Sequence, residues 1–254
     1  MAEPVKSPDQ CVDPATLDPY KPTVPGRPMT PGEIAFAQSI YGDKIDYSKV
    51  RIHAEPAESS ASGAGALSYP DGRIAMYGSN IYPDYSVLEG AHVLGTAAFM
   101  HELAHQYQFQ NGACMDLTKN YNYGEDLKPG AKWENFSSEQ QGEMMQDYIQ
   151  IYRGGMLSGN IKPEQFNQMR DIVEAQFPNA KATREAWERE RASPGSKFGM
   201  AADLPVAVTA MTAPATPAAQ IILSAKAGPE IDVKLENPAL TVPAFRPAAQ
   251  ALTA

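Results

Sequence analysis

Cysteine is nearly absent from this chain: two in 254 residues, Cys11 and Cys114. Two thiols cannot supply the disulfide framework of a small secreted scaffold, so free thiols in a reducing compartment are expected. Basic charge is also short, with 21 Lys and Arg against 30 Asp and Glu and a net charge of −9. That balance argues against a nucleic-acid partner, whose phosphates it would repel. No apolar run approaches the ~18 residues that a membrane-spanning helix needs. The first 30 residues hold no basic stretch followed by an apolar one, so no secretory signal is expected. Cytoplasmic synthesis is the expectation, and export would need a machine that reads no N-terminal signal. No internal repeat is evident.

Proline is plentiful but uneven. Of the 22 prolines, eight fall in residues 1–31 and eight in 192–254, leaving six between. The expected organisation is a proline-rich tail over 1–29, one folded domain over 30–191, and an Ala/Pro/Thr-rich C-terminal tail over 192–254. Within that last tail, 219–225 and 230–235 are expected to pair as a short hairpin. The rest is expected to stay disordered or to order only on docking.

Histidine is scarce as well, with four residues, yet two of them stand four apart in His101-Glu102-Leu103-Ala104-His105. On a helix, residues four apart share a face, with Cβ atoms about 6 Å apart. Both imidazoles can then reach one Zn²⁺ at about 2.0–2.1 Å. Glu102 lies roughly 100° around the same helix, placed to hold a water rather than the metal. Residues 93–110 contain no proline and are rich in Ala, Leu, Met and Gln, which predicts a helix. Asn111-Gly112 supplies its stop. Leu94, Ala97, Ala98, His101, His105 and Gln108 fall on one stripe, expected to face inward. A chance H-E-x-x-H in a chain with this few histidines is expected at roughly 0.4 %. Two buried histidines without a metal would also be awkward to satisfy.

A catalytic zinc needs a third protein ligand and one open position. The long form ending in a third histidine is excluded, because Gln108 and Asn111 stand where it requires Gly and His. No other histidine lies downstream, so a carboxylate from a later helix is expected. Ser137 with Gln140 three residues on forms a capping-box pattern that opens a helix predicted to run to Tyr152 and stop at Gly154-Gly155. Glu139 and Glu143 share one face of it, where a cation would relieve their repulsion.

His101-Glu102-x-x-His105 followed by Glu139-x-x-x-Glu143 resembles the gluzincin pattern, H-E-x-x-H and then E-x-x-x-D. The resemblance implies that Glu139 is the third zinc ligand and that the acid four residues later orients a zinc-bound histidine. This chain has Glu143 where that family usually has Asp, and Gly142 where Ala is common. The shifted frame, Glu143-x-x-x-Asp147, would make Glu143 the ligand instead. A wider stretch, Arg27 to Tyr152, adds to this. Thr30-Pro31-Gly32-Glu33, Tyr41-Gly42-Asp43-Lys44-Ile45-Asp46-Tyr47, Val50-Arg51-Ile52-His53, Phe99-Met100-His101 and Glu139-Gln140-Gln141 come in the order seen in certain bacterial zincin-like proteins. The chain resembles those associated with the spike (Vgr) proteins of type VI secretion, and the metallopeptidase domains of extracellular contractile injection systems. That resemblance implies a minimal zincin-like metallopeptidase acting as an injected effector. It also implies a secretion spike and a cognate immunity protein as partners, besides a peptide or protein substrate.

The fold expected is α+β, a mostly helical zincin-like domain with a small sheet. Thr30-Pro31-Gly32-Glu33 opens a helix ending at Gly42. Lys49 to Ala54 reads as a strand, and a turn at Tyr69-Pro70-Asp71-Gly72-Arg73 joins strands Ala66 to Tyr69 and Ile74 to Tyr77. Ile74 to Tyr77 is expected at the cleft edge, free to pair with an extended substrate. Pro163 to Phe177 is amphipathic, with Phe166, Met169, Ile172, Val173 and Phe177 inward. Ala182 to Arg191 reads as a charged surface helix around Trp187. Met144, Met145, Tyr148 and Ile149 are expected in the core.

The chemistry expected is amide hydrolysis, with Zn²⁺ on His101, His105 and Glu139 and with Glu102 as general base. Tyr121, Tyr123 and His92 are candidates for the oxyanion donor. Two other readings stand beside it: a non-catalytic zincin-fold adaptor docking to a spike, and a zinc amidase acting on peptidoglycan peptides.

Overall fold

The structure, a computed structural model, describes residues 22–57, 60, 65–88, 92–113, 120–155 and 159–193. Cys11, Cys114 and the hairpin expected over 219–235 lie outside them. The described chain is mixed α/β, five helices around one small sheet. None of these helices is long and apolar enough to cross a membrane.

The sheet contains β1 (Arg27–Pro28), β2 (Arg51–Glu55), β3 (Ala66–Ser68) and β4 (Arg73–Tyr77), in the order β1-β2-β4-β3. β4 runs parallel to β2, with Ile52 opposite Ile74, and antiparallel to β3, with Ala66 opposite Met76. β4 is therefore an interior strand, which corrects the expectation that Ile74 to Tyr77 forms the cleft edge. Its apolar run Ile74-Ala75-Met76 is fully buried, as a strand covered on both faces requires. The edge strands of the described sheet are β1 and β3. The turn between β3 and β4 needs Gly72, whose φ is 93° and whose missing Cβ would lie 2.2 Å from the Lys49 carbonyl oxygen.

Residues 22–29, assigned from composition to a tail, pack on the sheet. β1 pairs with β2, and Met29 is buried. Behind β1 the buried Glu55 carboxylate accepts from the Thr23 amide at 3.1 Å and from the Thr23 hydroxyl. Helix α1 (Pro31–Tyr41) follows, opened by a Thr30–Glu33 capping box and closed at Gly42 with φ 63°. Glu33 does more than cap. Fully buried, it binds Arg27 through both oxygens at 2.7 and 2.8 Å and accepts from the Tyr85 amide at 2.9 Å.

Helices α2 (His92–Gln110) and α3 (Ser138–Tyr152) pack together, and α4 (Phe166–Gln176) and α5 (Pro178–Ala192) complete the helical side. Met144, Met145, Tyr148 and Ile149 are fully buried, and Phe166, Met169, Ile172 and Val173 line the inner face of α4. Phe177 sits at the hub. Tyr41, Tyr107 and Trp133 each meet its ring edge-on at 5.0–5.1 Å, geometry worth about 0.5–1.5 kcal/mol per pair beyond area. α5 begins at Pro178, four residues earlier than the charge pattern suggested, because proline at the first helical position needs no amide partner. Leu94, expected inward, is exposed. At the α4–α5 corner Arg184 binds Glu174 at 2.5 Å and Glu188 at 2.7 Å. The Tyr148 hydroxyl donates at 3.0 Å to Glu174.

Candidate metal centre

Two helices build the site. α2 carries His101 and His105 one turn apart on its buried face, and Gly112, with φ 66°, ends it just beyond. α3 is started by Ser137, whose hydroxyl accepts from the Gln140 amide while the Gln140 side chain returns to the Ser137 amide. That cap fixes the first turn of α3, and with it Glu139, against α2.

The Glu139 Oε2 atom lies 3.4 Å from His101 Nε2 and 3.4 Å from His105 Nε2. The ligand atoms of all three residues lie within 4.8 Å of one another, the one such group among the described residues. An N–H···O bond between charged partners closes to about 2.7–2.9 Å, so 3.4 Å is slack for a hydrogen bond. It matches the spacing between two ligands on a tetrahedron with bonds of about 2.1 Å, which is about 3.4 Å. The donor set of two imidazoles and a carboxylate is also the chemistry zinc takes. The residues fit the ion.

Electrostatics points the same way. Burial alone would raise the Glu139 carboxyl, but the two imidazoles outweigh it and hold it well below the usual carboxylate range. Burial likewise opposes charging His101, yet Glu139 and then Glu143 push it up to about 10. His105 is raised by Glu139 against the same penalty. The imidazoles and the Glu139 carboxylate thus favour one another's charged forms.

Glu102 is different. It is buried, its Oε2 atom has no hydrogen-bond partner among the described residues, and burial pushes its carboxyl up, only partly offset by the two imidazoles. A basic oxygen kept dry and unpartnered beside a cation site is what a general base requires. The helix is braced where it carries this residue. The Ser68 hydroxyl of β3 donates to the Glu102 carbonyl at 3.1 Å, and the Gln106 amide donates to Ser68 Oγ at 2.6 Å and to Tyr69 O at 2.8 Å.

The two acids of α3 divide their roles. Glu139 faces both Nε2 atoms, whereas Glu143 approaches the far side of His101, 3.6 Å from Nδ1. Asn160 steadies Glu143 with a 2.7 Å bond. Asp147, the acid of the shifted frame, accepts from the buried Tyr123 hydroxyl at 2.6 Å. Tyr123 is thereby committed to the core. His92 packs against Tyr82 at the far end of α2, with ring centroids 4.7 Å apart and tilted by 47°. Of the three oxyanion candidates the structure brings only Tyr121 to the site, with its ring 6.1 Å from that of His101. Burial and then the charges of Glu139, Glu102 and Glu143 push its phenol up.

Three residues escaped the sequence reading. Gly142 faces His101, and a Cβ there would lie 2.6 Å from Nε2, so glycine makes room for the ring. Gln108 and Gln141, both buried, stand behind His105. The departure at Gly142 and a polar residue on an inward stripe were the available signs.

No family model matches the chain. Over an alignment of 136 residues that covers 49% of this chain, it is 33% identical to the type VI secretion system spike protein VgrG2b of Pseudomonas aeruginosa, and it spans 13% of that protein. It also aligns with the solved structure of the effector domain of Pseudomonas aeruginosa VgrG2b, over 65% of this chain and 89% of that one, at 23% identity and a TM-score of 0.42.

Proposed function

We propose that this chain is a zinc-dependent hydrolase of peptide amide bonds, with a zincin-like helix pair at its centre, delivered as an effector by a type VI secretion apparatus. The observation that carries the chemistry is Glu139 Oε2 at 3.4 Å from the Nε2 atoms of both His101 and His105, with Glu102 Oε2, unpartnered among the described residues, beside them. The similarity to a secretion spike protein supports the delivery route. Association with a spike and neutralisation by a cognate immunity protein belong to the same proposal.

His101, His105 and Glu139 would hold the ion, which when bound polarises the scissile carbonyl and acidifies a water. Glu102 would take a proton from the attacking water at Oε2 and deliver it to the departing amine. Burial serves both steps, since it raises the basicity of Glu102 and excludes bulk water that would compete for the proton. Tyr121, partly exposed at the rim, is the group placed to donate to a developing oxyanion.

The test is metal analysis of the purified chain followed by incubation with casein and, separately, with purified peptidoglycan. One zinc per chain and cleavage of a peptide bond are expected, with Glu102→Gln retaining zinc and losing 100-fold or more in rate. Hydrolysis undiminished in Glu102→Gln would refute the base. Peptidoglycan cleavage without casein cleavage would fix the substrate as cell-wall peptide. If the variant keeps its biological effect, the adaptor reading replaces this one.

A further inference from the structure

His105 is held from behind by an amide, not by a charge. Its Nδ1 atom lies 2.8 Å from Gln108 Oε1, and both residues are buried. Nothing about an isolated glutamine decides which end it presents, since its amide can flip. Here the surroundings decide. Gln108 Nε2 donates to the Ser138 carbonyl at 3.0 Å and to Gln141 Oε1 at 2.8 Å. Gln141 Nε2 in turn donates to the carbonyls of Trp133 at 3.0 Å and Phe136 at 3.1 Å. Backbone carbonyls only accept. The two at 133 and 136 therefore force the Gln141 nitrogen toward themselves and its oxygen toward Gln108. That oxygen, with the Ser138 carbonyl, forces the Gln108 nitrogen away from the histidine. The remaining oxygen of Gln108 faces Nδ1, and Nδ1 must carry a proton.

We propose that Gln108 and Gln141 are positioning residues that lock His105 as the Nδ1-protonated imidazole, leaving the Nε2 lone pair for a divalent cation. The purpose assigned to this relay rests on the zinc reading given above; the direction of its hydrogen bonds does not. Trp133 and Phe136, whose side chains are buried in the core, anchor the far end. The ring is thus oriented by the packed turn before α3, independently of the metal. His101, with a carboxylate 3.6 Å from Nδ1, is oriented by charge. Tuning of this kind behind a metal-binding histidine is typically worth 10–100-fold in metal affinity.

The test uses the full-length chain labelled with ¹⁵N, whose four histidines are few enough to resolve in a long-range ¹H–¹⁵N spectrum. In the zinc-loaded protein His105 is expected to carry a slowly exchanging proton on Nδ1 and the metal on Nε2. Gln108→Met, similar in volume but without the accepting oxygen, should lose that protected proton and bind zinc roughly 10–100-fold more weakly by chelator competition. Gln141→Met should show a smaller loss of the same kind, because the Ser138 carbonyl still holds the Gln108 nitrogen. A proton on Nε2 in the unmodified loaded protein would overturn the relay, whether or not the variants fold. So would Gln108→Met with an unchanged Nδ1 signal and unchanged affinity. If the unmodified chain takes up no zinc, yet shows the protected Nδ1 proton and loses it in Gln108→Met, the relay stands and the zinc reading alone fails.

Discussion

Two clusters of buried charge sit at opposite ends of α3 and its neighbours, and they are built on opposite rules. At the α4–α5 corner every charge has a mate: Arg184 holds Glu174 and Glu188, and the Tyr148 hydroxyl shares its one proton between Glu174 and the Ala180 carbonyl, 2.9 Å away. At the α2–α3 face the charges are brought together but left slack, with 3.4 Å gaps between imidazoles and carboxylate and an unpartnered oxygen on Glu102. The first cluster is complete within the chain, so its work is structural. The second keeps its groups too far apart for close hydrogen bonds to one another. Burial alone does not distinguish a site from a staple; the presence of unmet demand does.

The largest effect that would sharpen this contrast comes from the metal itself. Zinc at about 1,000 times its dissociation constant should raise the stability of the chain by about 4 kcal/mol, read as a shift of the thermal midpoint that a chelator reverses. The metal-free form should also depend on pH in a set direction. His101, raised from 6.5 to about 10, contributes fully below 6.5, and its contribution is lost as pH climbs toward 10. Glu139, lowered from 4.5, contributes above that value and fades as pH falls below it. Stability without metal should therefore peak between roughly 4.5 and 6.5, checked by denaturant midpoints across pH. A flat profile through the alkaline limb would contradict the paired site.

Arg184→Met comes next. It takes the arginine from the half-buried Glu174, which keeps the Tyr148 hydroxyl, and should cost about 1–3 kcal/mol by urea unfolding, while zinc affinity stays as it was. Loss of zinc binding in that variant would show that the two clusters are not separate. The smallest effect is expected from Gly142→Ala. Helix propensity favours alanine by up to about 1 kcal/mol, so global stability should hold or rise. The added methyl, 2.6 Å from His101 Nε2, should nevertheless push the ring aside and weaken zinc about tenfold. Competition titration with unfolding controls would read both at once.

The parts legible in the sequence were those governed by local rules. Thr30–Glu33 and Ser137–Gln140 are capping boxes whose residues both name and place a helix start. His101 and His105 declare their shared face by spacing alone. The long-range parts were hidden. Whether Ile74 to Tyr77 is an edge depends on β2 and β3 lying to either side of it, and no property of the strand records that order. The choice between Glu139 and Glu143 depends on the rotation of α3 against α2, which one missing methyl at Gly142 permits. Gln108 was read as a departure from another pattern and as a member of an inward stripe, but its partners 30 and 33 residues on, Ser138 and Gln141, leave no trace in its neighbours.

The grip of Glu55 on Thr23 has a practical consequence for anyone excising this domain. Cutting at residue 30, where proline density first falls, would strip the β1 ribbon, deprive Glu55 of the Thr23 amide and hydroxyl, and take Arg27 from Glu33. A fragment meant for crystallisation or assay should begin upstream of Thr23.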